Sequence, residues 1–124
     1  MDSIKEKILI VEDEMGMSET LELLLEDHGI GCEIASTGEQ ALNLLKEKKF
    51  KVALVDIRLP GMNGLQFIEK AHELNSEMSF IILTGSLEFD PTQISHIDKV
   101  SKKTFYKPVS DFSALIEEIL FLLT

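Results

Sequence analysis

The feature that most constrains this chain is a fivefold alternation of short apolar runs with longer amphipathic stretches. Runs of four or five apolar residues without polar alternation are typical of strands that are buried on both faces. Such strands belong to parallel sheets that helices cover on both sides, so the pattern predicts an α/β protein. The predicted strands are Lys7–Val11, Cys32–Ala35, Val52–Val55, Phe80–Leu83 and Thr104–Tyr106.

The stretches between these strands carry helical spacing and helix-capping signals. Gly29 is expected to stop the first helix, and Asp90 with Pro91 is expected to begin the fourth. A capping box of Ser36 and Glu39 starts the second helix, and Ser110 caps the last. The predicted helices are Met17–His28, a second through Ala41 and Leu45, Leu65–Leu74, a short one through Ile94 and Ile97, and a last one with Phe112, Leu115, Ile116, Ile119, Leu120 and Leu123 on one stripe.

Length and composition exclude several classes of protein. The 124 residues fit one domain, residues 1–124, better than two. No apolar run approaches the ~20 residues that span a bilayer, and Met1–Lys7 has no apolar core of a signal peptide. The single cysteine, Cys32, excludes an internal disulfide framework. We therefore expect a cytoplasmic protein without membrane contact, and its net charge of −10 argues against nucleic-acid binding through this domain.

Polar residues of a particular kind follow four of the five predicted strands. Glu12 and Asp13 follow the first strand, Asp56 the third, Thr84 the fourth and Lys107 the fifth. In open α/β sheets, ligands bind beyond the carboxyl ends of the strands, so these side chains are expected to meet there. Each pair of like charges at ~4 Å costs about 4 kcal/mol at an effective dielectric of ~20. A hard cation such as Mg²⁺ would remove that cost.

This set of residue types suits the transfer of a phosphoryl group to a carboxylate. An aspartate can act as a covalent nucleophile, and the transferred group needs its oxygens neutralised by metal, lysine and hydroxyl. Gly85, beside Thr84, would leave room for the incoming group. Each residue taken alone is more often a turn or cap residue, but their joint occurrence at successive strand ends favours a site.

Four segments together resemble the receiver domain family of two-component response regulators, and the resemblance extends over essentially the whole chain. It implies a flavodoxin-like, doubly wound sheet of five parallel strands, (βα)5, in the order 2-1-3-4-5. It also implies dependence on Mg²⁺ or Mn²⁺ and phosphorylation by a sensor histidine kinase or a histidine phosphotransfer protein. The segments are Ile8–Glu14, Val55–Gly64, Leu83–Gly85 and Lys107–Pro108.

The resemblance also implies roles for individual residues. Asp56 is the implied phosphoacceptor. Asp13, Asp56 and the backbone carbonyl of Arg58 are the implied metal ligands, with Glu12 acting through water. Thr84, Gly85 and Lys107 would contact the phosphoryl group. A cis peptide is expected between Lys107 and Pro108, where a sharp bend would turn the lysine toward the site.

One position departs from the family pattern. The family usually has an aromatic switch residue three positions before the lysine, and here that residue is Thr104. A swing of a large ring therefore cannot transmit the signal. We expect instead a backbone-led shift of residues 85–97, with a smaller adjustment at Thr104, which changes the surface of the fourth helix, fifth strand and last helix.

The expected partners are a kinase or phosphotransfer protein and a downstream effector or fused output domain. Phe121, Leu122 and Phe105 are candidates for a phosphorylation-promoted homodimer surface, with core packing as the alternative. Two other functions remain open. One is an interaction module whose output does not depend on phosphate. The other is an aspartyl-nucleophile hydrolase, for which Arg58 occupies the position of the second acid and a substrate cap is missing; we therefore do not expect an enzyme.

Overall fold

The computed structural model describes residues 7–86 and 88–124, and its strands form one five-stranded sheet. Every pairing is parallel and the order is β2-β1-β3-β4-β5, which confirms the predicted doubly wound fold. The absence of a signal peptide was predicted from Met1–Lys7, which lies largely outside the described residues. The strands are β1 (Lys7–Val11), β2 (Gly31–Ala35), β3 (Val52–Asp56), β4 (Ser79–Thr84) and β5 (Phe105–Tyr106).

Four α-helices cover the two faces of the sheet within the described residues. They are α1 (Met15–Asp27), α2 (Gly38–Glu47), α3 (Gly64–Leu74) and α4 (Phe112–Leu123). In the part of the chain that the structure describes, none of them is long and apolar enough to cross a bilayer. Gly29 ends α1 as predicted, with φ of 73°, and the amides of Gly29 and Ile30 donate to the carbonyls of Glu26 and Leu25.

The core consists of two apolar layers, one on each face of the sheet. Alternate residues of the central strands supply each layer, because successive side chains in a strand point to opposite faces. On one face, Leu9, Val55 and Phe80 pack with residues of α2 and α3. On the other face, α1 and α4 provide most of the helical contacts; the buried residues there include Ile8, Ile10, Leu54, Ile81, Leu21, Leu25, Leu115, Ile116 and Ile119.

The prediction of a short fourth helix through Ile94 and Ile97 is confirmed only in part, because the helix does not reach Ile97. The segment forms only a 3-10 helix at Pro91–Ile94, although Asp90 caps it as predicted by accepting from the Thr92 amide at 3.0 Å. Ile97 lies beyond the end of this helix, although both isoleucines are buried. Ser95 then bonds back to the Thr92 carbonyl through both its amide and its hydroxyl, which ends the helix.

Two predicted helix caps were displaced by one residue. Thr37, not Ser36, accepts from the amide of Gln40 at the start of α2. Gln40 in turn accepts from both the amide and the hydroxyl of Ser36, so Gln40 takes the place that was predicted for Glu39. Asp111, not Ser110, caps α4. Sequence patterns place helix ends poorly where two neighbouring residues are both good caps.

The outer half of α4 is more exposed than its sequence predicted. Leu120, which was assigned to the buried stripe, is 39% exposed, and Phe121 is 71% exposed. Leu122 packs against the core, as does Phe105 in β5. Of the residues proposed for a dimer surface, only Phe121 is therefore prominent at the surface.

Candidate functional site

The loop after β1 brings two acids to the carboxyl edge of the sheet. Glu12 is buried, at 1% exposure, and its amide donates to the carbonyl of Ala35 at the end of β2. The neighbouring Asp13 is exposed. The Glu12 carboxylate also accepts from the amide of Glu14 at 3.0 Å. The loop is thus held to the neighbouring strand and to its own backbone, which fixes where the acids lie.

Asp56 is the last residue of β3 and is 3% exposed. One carboxylate oxygen, Oδ1, accepts from the amide of Arg58 at 3.0 Å. The loop that follows is packed tightly against the start of α3. A Cβ on Gly64 would lie 2.3 Å from the carbonyl oxygen of Asp56, so only glycine allows this approach. The close contact fixes the backbone that carries the Asp56 side chain.

Lys107, which follows β5, is the cation of the site. Its ammonium lies 3.1 Å from Asp56 Oδ2, 2.7 Å from Glu12 Oε1 and 2.7 Å from Glu14 Oε1. Its contacts to Asp56 and Glu14 are hydrogen bonds, and its contact to Glu12 is an ion pair. The peptide between Lys107 and Pro108 is cis.

Burial and charge shift the pKa values of these groups in opposite directions. Burial raises the pKa of Glu12, an effect that Lys107 and the Glu14 amide only partly oppose and to which Asp56 adds. Burial lowers the pKa of Lys107, but its contacts with Glu12, Glu14 and Asp56 outweigh burial and raise it. The hydrogen bond from Lys107 lowers the pKa of Glu14. Lys107 is therefore charged at neutral pH.

The acidic cluster fits a divalent cation. Carboxylate oxygens of Glu12, Asp13 and Asp56 lie within 4.8 Å of one another. Among the described residues, the buried oxygen Glu12 Oε1 has no hydrogen-bond donor. The site contains four carboxyl groups once Glu14 is included and one ammonium, so negative charge is in excess. An all-oxygen donor set with excess negative charge is what Mg²⁺ and Mn²⁺ prefer.

Thr84 and Gly85 lie at the same edge as Asp56. Asp56 pairs with Leu83 in the register of β3 and β4, and Thr84 follows it as the last residue of β4. The Thr84 side chain is buried, and its hydroxyl oxygen accepts from the amide of Ser86 at 3.0 Å. A Cβ on Gly85 would meet no atom of the described residues within 4 Å, so the space beside it is open.

Thr104 lies in the wall of a cavity of about 500 Å³ beside the 3-10 helix. Ile82 and Phe89 line the same cavity. The chain pairs with β4 at Val100 and again at Phe105, opposite Phe80 and Leu83. Between these two pairings the chain has four residues, 101–104, whereas β4 has only two, so 101–104 cannot pair with β4 in regular register. Thr104 is therefore part of an irregular segment, which the sequence alone did not indicate.

Sequence reasoning missed one residue of the site, Glu14. It lies at the N-cap position of α1, yet its side chain makes no cap hydrogen bond and instead contacts Lys107. The only available signal was that a third acid directly follows the pair Glu12 and Asp13.

Known proteins resemble this chain in sequence and in fold. Sporulation initiation phosphotransferase F of Bacillus subtilis is 30% identical over 92 residues, which is 74% of each chain. A response regulator receiver domain protein (CheY-like) from Methanospirillum hungatei JF-1 is 31% identical, with a TM-score of 0.84 over 96% of this chain and 94% of that one. Response regulator protein TrrA from Thermotoga maritima, solved in complex with Mg²⁺-BeF, is 26% identical, with a TM-score of 0.79 over 94% of this chain and 98% of that one.

Other relatives are longer. The chain spans 38% and 48% of the length of two curated relatives that it matches, a DNA-binding response regulator of Mycolicibacterium smegmatis and a transcriptional regulatory protein of Bacillus subtilis. Residues 8–120 match the response regulator receiver domain as a family. The match extends over most of the chain and includes all the acids, the threonine and the lysine of the site. The protein therefore belongs to the response regulator receiver domain family, whose members are regulatory switch modules of two-component signalling.

Proposed function

We propose that the protein accepts a phosphoryl group on Asp56 and that the aspartyl phosphate changes its interaction surface. The observation that carries this proposal is the position of Asp56. Its carboxylate is nearly buried at the carboxyl edge of the sheet, within 4.8 Å of the ligand oxygens of Glu12 and Asp13 and 3.1 Å from the Lys107 ammonium. A carboxylate in this setting has a cation beside it to neutralise an arriving phosphoryl group.

The transfer requires one bond to form and one to break. A carboxylate oxygen of Asp56 bonds to phosphorus while the bond from phosphorus to the donor breaks, and the donor leaves with those electrons. The Arg58 amide holds Asp56 Oδ1, which fixes the orientation of the carboxylate during the attack. Lys107 is positioned to pair with a phosphoryl oxygen. The proposed ligands of Mg²⁺ or Mn²⁺ are Asp13, Asp56 and the Arg58 carbonyl, with Glu12 acting through water. The metal ion would neutralise phosphoryl charge when bound.

Thr84 and Gly85 are the proposed means of sensing the phosphoryl group. The Thr84 oxygen accepts from the Ser86 amide, so a turn of this hydroxyl toward the phosphoryl group would move the Ser86 backbone with it. Open space at Gly85 allows the group to enter. A phosphoryl group shifts the population only because it contacts one arrangement of this loop better than the other.

A partly buried hydrogen bond connects the irregular segment 101–104 to α4. Glu118 is 8% exposed and accepts a hydrogen bond of 2.6 Å from the Ser101 hydroxyl, and Lys103 lies 3.5 Å from the same carboxylate. Movement of the segment that contains Thr104 would therefore reach α4. We propose that the output surface consists of the 3-10 segment, β5 and α4, in place of a surface with a full fourth α-helix.

The proposed partners follow from this chemistry. A sensor histidine kinase or a histidine phosphotransfer protein would supply the phosphoryl group, and an effector protein or fused output domain would read the surface. Exposed Phe121 is a candidate contact in a phosphorylation-promoted homodimer. We propose a cytoplasmic location and a switch rather than an enzyme, since the only turnover is that of its own phosphoryl group. Nucleic acid and membrane are not proposed partners of this domain.

The direct test is intact-mass measurement after incubation with Mg²⁺ and acetyl phosphate. We expect one added phosphoryl group in the wild-type chain and none in Asp56→Asn, because an amide is a far poorer nucleophile. Asp27→Asn, at an exposed aspartate in the last turn of α1, is the matched control and should label like the wild type. Equal labelling of Asp56→Asn and wild type would refute the assignment. No labelling of the wild type would favour an interaction module that does not depend on phosphate.

Hydrogen exchange with and without beryllofluoride tests the output surface. We expect changed protection in residues 85–97, of which Leu87 lies outside the described part, and in 101–106 and α4. Changes confined to the loops around Asp13 and Asp56 would contradict the model of the output. Sedimentation tests the dimer separately, since a monomer in both states removes the dimer and leaves the switch.

A further inference from the structure

The Lys107 ammonium has three carboxylate neighbours, which are not equivalent. The side chains of Glu12 and Asp56 are 0% and 5% exposed, whereas that of Glu14 is 63% exposed. An ammonium group has three N–H donors, and here three carboxylate oxygens lie within 3.1 Å of its nitrogen. A phosphoryl oxygen that pairs with Lys107 must therefore displace one of these contacts.

Glu14 is the neighbour that can leave at the lowest cost. Water can replace its contact with Lys107 because most of the Glu14 side chain already faces solvent, whereas Glu12 and Asp56 would lose their partner inside the protein. Asp56 must in addition stay beside Lys107, because it carries the phosphoryl group in the proposed function.

The local backbone provides a second, independent observation. Glu14 lies at the N-cap of α1, where an acidic side chain ordinarily bonds to free amides of the first turn. In this structure its side chain makes no such bond. Its carboxylate reaches across to Lys107, 93 positions along the chain, at 2.7 Å. The Glu14 side chain thus contacts Lys107 and does not cap its own helix.

We infer that Glu14 is a positioning residue that holds the Lys107 ammonium at the mouth of the site until a phosphoryl group displaces it. The inference rests on the proposed phosphorylation of Asp56. Glu14 competes with the phosphoryl oxygen for Lys107, and its charge opposes the approach of an anionic donor. It therefore slows phosphorylation and weakens the binding of phosphoryl mimics.

The test compares Glu14→Gln with the wild type at saturating Mg²⁺. The glutamine has nearly the same size but carries no charge, so it competes less for the ammonium. We expect beryllofluoride to bind about two- to fivefold more tightly, the range that one exposed ion pair represents, and acetyl phosphate to label Asp56 faster by a similar factor. Glu19→Gln removes the same charge from an exposed position farther along α1 and should behave like the wild type.

Each result supports or overturns the inference. Unchanged or weaker beryllofluoride binding in Glu14→Gln overturns it, as does equal tightening in Glu19→Gln, which would show a general effect of net charge. Titration with Mg²⁺ alone separates another role, because a tenfold or greater loss of Mg²⁺ affinity in Glu14→Gln would make Glu14 a metal ligand and overturn the inference. A wild-type chain that takes up no phosphoryl group would instead refute the proposed function.

Discussion

Gly64 is the residue of α3 that packs against the backbone of Asp56, the proposed phosphoacceptor. It is the first residue of α3, and its amide donates to the carbonyl of Ile57 at 2.9 Å. A Cβ at this position would lie 2.3 Å from the Asp56 carbonyl oxygen and 2.8 Å from Ile57 Cα. Both partners are backbone atoms, which cannot move aside as the end of a flexible side chain can.

The Gly64→Ala substitution should therefore destabilise the protein and disturb the site together. Non-bonded contacts are favourable only at about 3.5 Å or more, so the backbone must shift by about 1 Å. Overpacking of this kind costs about 1–3 kcal/mol, and the better helix propensity of alanine recovers part of it. We expect a net loss of about 1–2 kcal/mol, which lowers the Tm by about 3–10 °C for a chain of this size. A shift of that size at Asp56 should slow phosphorylation by at least about tenfold.

Thermal melting and acetyl phosphate labelling measure the two effects, and Gly16→Ala is the matched control. Gly16 lies in α1, and a Cβ there would meet no atom of the described residues within 4 Å. The control should gain about 0.5–1 kcal/mol and label normally, because alanine restricts the unfolded chain and favours helix. If Gly64→Ala melts at or above the wild-type temperature and labels at the wild-type rate, the close approach of α3 to Asp56 does not govern the site.

Three further predictions concern metal, pH and a helix cap. Asp13→Asn should weaken Mg²⁺ binding by at least about tenfold in calorimetry, and unchanged affinity would remove Asp13 from the ligands. Burial and neighbouring glutamates raise the pKa of Cys32 to about 11. Alkylation of Cys32 at pH 8 should therefore be about a hundredfold slower than that of an unfolded thiol, and its rate should rise with pH. Equal alkylation rates for the folded and unfolded thiol would contradict the shift. The same raised pKa stabilises the folded state below about pH 9, and this contribution is lost as the pH rises toward 11. Thr37→Ala should cost about 1 kcal/mol in urea unfolding and Ser36→Ala less, the reverse order contradicting the observed cap.

The chain's own pattern was sufficient for the sheet and for most of the site. Buried strands such as Ile8–Val11 and Val52–Val55 read as continuous apolar runs because helices cover both faces, and this signal does not depend on the rest of the structure. The polar residues that follow each strand could be assigned to one edge because parallel strands all end on the same side. Glu12, Asp13, Asp56 and Lys107 were thereby predicted to meet, and the structure brings them together.

Tertiary structure decided the features that depend on distances between separate segments. The contact of Glu14 with Lys107 joins residues far apart in sequence, and no local pattern distinguishes it from an ordinary exposed acid. The end of the fourth helix at Ile94 and the cavity between this helix and the segment that rejoins β4 are also visible only in the folded chain. In the sequence, Gly64 is indistinguishable from an ordinary turn glycine. Only the approach of α3 to the Asp56 carbonyl shows why a side chain cannot fit at this position. Periodicity encodes which face a residue occupies, whereas these contacts are set by the packing of elements against one another.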